Sequence, residues 1–305
     1  MAHTRFIKDT GLTARMTLVM FLLGALFVGF VAVLMAVFSQ TFGGAAPIFI
    51  AVIAIGVAFY QWWKSDEMAM KAMRAREVSP AEAPELHAMV DRLCAMADMP
   101  KPRVGVADMA VPNAFATGRS PDRSVVCVTT GLLGRLTAEE LEGVLAHELA
   151  HVAHRDVLVM TFAASAGILA GLLTQGARFG ALARGRNNNA AALIVITLLV
   201  SVVVYAVSFV LVRLLSRYRE LSADRAGAHL TMKPAALGSA LSKISGEVAA
   251  IPDQDLRGTK AMNAFFIVPA LKGLSLSTVT ATHPPLDRRL EQLARIQTEL
   301  DRTIG

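Results

Sequence analysis

The sequence predicts a mainly α integral membrane protein, with four transmembrane helices in two hairpins and an α+β domain that contains a small sheet. Three observations predict it. The chain of 305 residues is 54% hydrophobic with a mean hydropathy of +0.50, more apolar than a soluble domain usually is. Four uncharged stretches, Met16 to Phe38, about Pro47 to Trp63, Val157 to about Thr174 and about Ala190 to Val212, meet or approach the roughly 20 residues a helix needs to cross a bilayer core of about 30 Å. Outside these stretches, a run of short strands lies between capped helical patterns, which suits an α+β domain.

The elements follow in chain order. The first apolar run is longer than the core of a cleaved signal, and a second follows almost at once, so it reads as a retained anchor. Arg5, Lys8 and Arg15 precede it, the turn Ser39 to Ala46 is uncharged, and Lys64, Lys71, Arg74 and Arg76 follow the second span. Positive charge on both ends puts both ends of this hairpin in the cytoplasm. A polar helix is expected from Lys64 to Glu77. Ser79 reads as an N-cap with Pro80 at the first helical position and Glu82 closing a capping box. Leu86, Met89, Val90 and Leu93 then recur at helical spacing, and Pro100 and Pro102 end that helix. Arg103 to Val106, Pro112 to Gly118 and Ser124 to Thr129 read as strands, the middle one exposed. Thr137 and Glu140 form a second capping box, and Leu141, Val144, Leu145 and Val152 give the helix it starts a buried side.

The second hairpin carries Arg178, Arg184 and Arg186 in its turn and Arg213, Arg217 and Arg219 beyond its far end. The charges balance, so they do not orient it, but two spans return the chain to the side it left. The expected organisation is residues 1–63 as the first membrane hairpin, 64–156 as the first soluble portion, 157–212 as the second hairpin and 213–305 as the second soluble portion. The two soluble portions are short enough to form one domain between them.

The charge of +6 and pI near 9.6 do not indicate nucleic acid. The basic residues flank spans, where topology and anionic lipid account for them, and no basic-aromatic platform interleaves with them. Cys94 and Cys127 are too few and too isolated for a disulfide framework or a C-x-x-C metal pair. The spans lack the ionisable residues a metal transporter would need.

The chemistry is carried by His147-Glu148-Leu149-Ala150-His151. Two histidines four apart on a helix share a face and can hold one metal, while Glu148 can reach a water on it as general base. Catalytic zinc wants a third protein ligand and an open position. His154 is rotated away from the face of the pair. Glu220 and Asp224, four apart just after a span, are a better source, with Glu220 as ligand and Asp224 accepting the second N–H of a ligand histidine. A solvated helix with local arginine pairing would read the same way.

Together these residues resemble the HtpX family of membrane-embedded zinc metalloproteases, relatives of the CAAX prenyl proteases. The resemblance runs through the two N-terminal spans, Pro112 to Gly118, Ala146 to His151, the second hairpin, Arg219 to Asp224 and Thr282-His283-Pro284-Pro285. It implies a zincin-like catalytic domain of the gluzincin type facing the cytoplasm, and one Zn2+ per chain on His147, His151 and Glu220, with Asp224 behind them. It implies that Asn113, Ala114, Phe115 and Ala116 form an edge strand that pairs with substrate backbone. His283 is implied to stabilise an oxyanion. The implied activity is cleavage of misfolded or damaged membrane proteins at a bacterial inner membrane, so the partners are membrane protein substrates and the lipid bilayer. A metal-bound scaffold that holds misfolded chains without cutting them is the alternative, and Glu148 argues against it. The family pattern gives no role to Ile251 to Thr282.

Overall fold

The computed structural model describes residues 10–42, 45–161, 188–250 and 283–304. The chain divides into two compact units, one of residues 13–62 and 159–215, the other of residues 1–12, 63–158 and 216–305. Most of the third expected span, the turn of the second hairpin and the segment Ile251 to Thr282 lie outside the described residues.

The first unit is helical. It holds most of α1 (Thr10–Phe42) and α2 (Ala45–Trp63), together with residues 159–161 of a helix that starts at residue 156 in the other unit. Its remaining helical residues belong to the first part of a 44-residue helix, Asn188–Thr231. Val19, Leu23 and Leu215 form a small buried cluster, with Met16, Met20, Leu211 and Val212 packed against it. Large apolar side chains nevertheless point outward, with Phe21 71%, Leu199 63% and Val203 60% exposed. Water does not favour such a surface and lipid does. Two stretches among the described residues, Thr13–Val33 and Leu198–Thr231, are long and apolar enough to cross a membrane.

The second unit is built on a four-stranded mixed sheet. α3 (Ser65–Ala72) leads into β1 (Ala75–Glu77), and α4 (Pro84–Ala97) precedes β2 (Arg103–Ala107). The hairpin of β3 (Ala114–Ser120) and β4 (Arg123–Thr129) follows, then the single turn α5 (Thr130–Leu133) and α6 (Ala138–Ala153). The strand order is β1-β2-β4-β3, with β2 parallel to β4 and both outer pairs antiparallel. β3 is thus an edge strand. Its register shifts between Gly118 and Ser120. Gly118 has φ +148, and a Cβ there would stand 2.3 Å from the Arg123 carbonyl oxygen, so only glycine fits this hairpin end.

Two local expectations are corrected. The helix expected from Lys64 to Glu77 ends at Ala72, because Arg74 turns left-handed (φ 49) and Ala75–Glu77 pair with β2. The Ser79–Glu82 bonds do form, from both the Ser79 amide and hydroxyl, but they close a turn and not a helix. The helix begins at Pro84 instead, and Ala83 before it stands outside the helical region (φ −140, ψ 64), which proline disfavours for the residue preceding it.

Helix α6 runs through the core of this unit. The capping box of Thr137 and Glu140 forms at its N-terminus. The long helix Asn188–Thr231 is α7, and α8 (Pro234–Ala250) and α9 (Leu286–Ile304) follow it. The buried apolar residues of α4, the sheet, α6, α8 and α9 form one cluster that includes Val90, Leu93, Val126, Leu145, Leu149, Leu241 and Leu293. Glu140, partly buried, accepts hydrogen bonds from Ser239 and Lys243 and so latches α6 to α8. At the far end of α6, Arg155 takes a left-handed conformation, φ 56.

Candidate active site

The site is assembled from stretches of the second unit that are distant in sequence. Helical spacing puts His147 and His151 one turn apart on α6, and their Nε2 atoms lie 3.2 Å from each other. The part of α7 beyond residue 215 brings Glu220 to the same point. Its Oε2 is 3.7 Å from His147 Nε2, and its Oε1 is 3.5 Å from His151 Nε2. A glycine permits that approach. A Cβ on Gly227 would stand 2.9 Å from the His147 amide nitrogen, so the helix backbones touch where a larger residue would part them.

Each imidazole is held from behind by a carboxylate. Asp224 Oδ1 lies 2.9 Å from His147 Nδ1. Asp156 Oδ2 is hydrogen-bonded to His151 Nδ1 and lies 2.9 Å from Arg219. A proton on each Nδ1, the nitrogen that faces the acid, would leave the Nε2 lone pair free for a metal. Two lone-pair nitrogens and a carboxylate therefore converge. Their ligand atoms all lie within 4.8 Å of one another. Donors about 2.1 Å from a tetrahedral centre stand about 3.4 Å apart, so the 3.2, 3.5 and 3.7 Å separations fit one zinc-sized ion. Two imidazoles and one carboxylate are also a donor set that suits zinc.

Glu148 sits beside this group and is buried. Burial pushes its carboxyl up to about 8, against the pull of His151, while the Glu220 charge adds to the push. The Ala116 backbone N–H donates to it and opposes that rise. A cation in the adjacent site would bring it back towards the ordinary carboxylate range.

The profile of peptidase family M48 matches residues 80–297, which takes in every residue just described. The chain belongs to peptidase family M48. It is a metalloprotease, a hydrolase of peptide bonds, and a membrane protein. It is similar to the protease HtpX homolog 1 of Streptomyces coelicolor, with 53% identity over 98% of this chain and 97% of that protein. It is 50% identical to the protease HtpX homolog of Moorella thermoacetica over 96% of this chain and 97% of that protein. An archaeal relative, the protease HtpX homolog of Pyrococcus furiosus, is 40% identical over 95% of this chain and 98% of that protein. The crystal structure of S. mikatae Ste24p matches with a TM-score of 0.56 at 17% identity, over 88% of this chain and 62% of that one. That last likeness is one of fold.

Within this M48 site, the structure brings together His147, Glu148, His151, Glu220 and Asp224, and it adds His283, whose Nδ1 lies 3.0 Å from Glu220 Oε2. The expected substrate strand contributes unequally. Ala116 reaches Glu148, whereas Asn113, Ala114 and Phe115 are buried, and the Asn113 amide donates to Thr129 Oγ1. His154 caps α6 and is outside the ligand group.

Three members of the M48 site were not anticipated. Asp156 and Arg219 steer His151. Arg289, fully buried on α9, binds Asp224 through Nε at 2.7 Å and an NH2 at 2.6 Å. Its terminal nitrogen also comes within 3.8 Å of Glu220 Oε2. A signal for Asp156 existed in the lone acid at the edge of an apolar run, where an unpaired charge is costly. Nothing in the spacing signals Arg289.

Proposed function

We propose that this chain is a zinc-dependent endopeptidase of the bacterial inner membrane that cuts misfolded or damaged membrane proteins on the cytoplasmic side. The supporting observation is the convergence of three acceptor atoms, from His147, His151 and Glu220, next to a buried carboxylic acid. Such a cluster is costly unless a cation satisfies it.

Zinc, when bound there, supplies a Lewis acid that lowers the pKa of water towards about 7 and polarises a carbonyl. The remaining work belongs to the side chains. Asp224 and Asp156 hold the Nδ1 protons of His147 and His151, so each ring keeps its Nε2 lone pair inward. Arg289 offsets the negative charge of Asp224 and Glu220. Glu148 takes a proton from water at a carboxylate oxygen and delivers it to the leaving amine. The segment from Asn113 to Ala116, which enters β3 at Ala114, pairs with an extended substrate backbone, which recognises a peptide without reading much sequence. His283 donates towards charge that develops on the carbonyl oxygen.

The proposed topology has four spans, with residues 1–63 and 157–212 as membrane hairpins and residues 64–156 and 213–305 as the two parts of one cytoplasmic domain. The outward apolar residues of α1 and α7 support this reading.

The decisive comparison is wild type against Glu148→Gln, purified in detergent, with casein and a membrane protein as substrates and metal content measured in both. The expected result is equal zinc and a loss of proteolysis on the order of 100-fold or more. Equal cleavage by both would remove Glu148 from its role. Binding without cleavage by either would favour a scaffold.

A further inference from the structure

β3 runs from Ala116, which bonds to Glu148, to Arg119, which meets Trp63. α2 is 19 residues long, about 28 Å at 1.5 Å per residue, close to a bilayer core. It ends on Trp62 and Trp63, and tryptophan at the end of an apolar helix marks the headgroup level. The guanidinium of Arg119, in β3, lies over the Trp63 ring, 3.7 Å from its centroid. Trp63 itself is 43% exposed. A cation stacked on an interfacial indole is placed to meet phosphate headgroups. The helix that follows, α3, packs along β3. At the other end of the same strand, Ala116 donates its backbone N–H to Glu148.

Ala116 and Arg119 are separated by three residues, about 10 Å of strand. A substrate paired along β3 therefore has its cleaved bond near Glu148, while its continuation past Gly118 meets the bilayer surface. We propose that β3 acts as a ruler: the enzyme cuts extended segments that emerge directly from a transmembrane helix, within about three to six residues of the headgroup level. This rests on the reading of α2 as a span and of Glu148 as the catalytic base. It adds the distance at which a membrane substrate is cut.

The test uses the full-length enzyme in liposomes containing phosphatidylglycerol. The substrates are single transmembrane helices with unstructured flanks of uniform repeating sequence, fused before or after the helix, and cut positions are read by mass spectrometry. Casein serves as the unanchored control. The expected result is cuts clustered within about three to six residues of the helix end, unchanged as the flank is lengthened from 10 to 40 residues. Arg119→Ala should spread those positions by several residues, and Arg119→Lys should restore the cluster. Casein cleaved while anchored substrates are cut at scattered positions along the flank would overturn the ruler alone. A cluster that Arg119→Ala leaves intact would overturn the part given to Arg119. Failure to cut either casein or anchored substrate would overturn the proteolytic reading itself.

Discussion

Asp156 shows how much a single side chain behind a ligand can govern. It binds His151 Nδ1 and Arg219 together. Without it, the imidazole would keep its place on α6 but lose the partner that fixes its tautomer and ring angle. Asp156→Asn should lower zinc affinity about 10- to 100-fold, measured by chelator competition, and the helical content by circular dichroism should not change. Asp224 holds His147 in the same way, but Arg289 binds it as well. The difference in legibility between these two acids is physical. Asp224 stands four residues after Glu220, a spacing that helix geometry converts into a shared face. Asp156 stands five after His151, beyond that geometry. The partner of Asp224 on α9 is separated from it by 65 residues, and contacts through space at that distance leave no period in a sequence.

At the scale of elements, the site depends on helices that approach each other closely. Gly227 lets α7 touch the backbone of α6 beside His147. Gly227→Val would force the two apart and carry Glu220 away from both rings. The expected outcome is loss of bound metal, read by elemental analysis, in a protein that still folds. The Glu140 latch between α6 and α8 gives a second expectation. Burial disfavours the Glu140 carboxylate, but Lys243, Ser239 and the Thr137 amide outweigh it and hold the group at about 2. A depressed folded-state pKa stabilises the fold above the ordinary value of 4.5 and stops doing so as pH falls towards about 2. Glu140→Gln should therefore cost roughly 1.5–3 kcal/mol at neutral pH and flatten the acid limb of a melting-temperature profile between pH 5 and about 2. The Thr137 capping box behind this latch was legible, because cap chemistry is local. The cap expected at Ser79 was only half legible. Its side-chain bonds form, but Pro84 restricts the residue before it and delays the helix.

Across the whole molecule, the apolar stretches and the small sheet were visible as hydropathy and alternation, since both follow from which face of an element meets water. The order β1-β2-β4-β3 was not visible, because nothing in the short run Ala75–Glu77 distinguishes a strand from the end of a polar helix. Orientation in the membrane is open to a direct test. Cys94 and Cys127 are buried, and burial pushes their thiols up to about 11 and about 12, so neither is expected to react with maleimide in the folded protein. The native chain is thus a silent background for a cysteine placed between α1 and α2. That cysteine should label from outside intact cells with an impermeant maleimide, and one at Glu77 only after lysis. The reverse pattern would invert the proposed topology.

Arg155 adopts φ 56, a torsion that a non-glycine residue holds at a cost of about 1–3 kcal/mol. That left-handed residue stands between the end of α6 and Asp156, which bonds back to His151. A β-branched residue there would resist that torsion, and glycine would accept it freely. The aim of an imidazole is thus governed by a peptide twist a full helical turn downstream, so a mutation that touches neither ring nor ion could still disarm the enzyme.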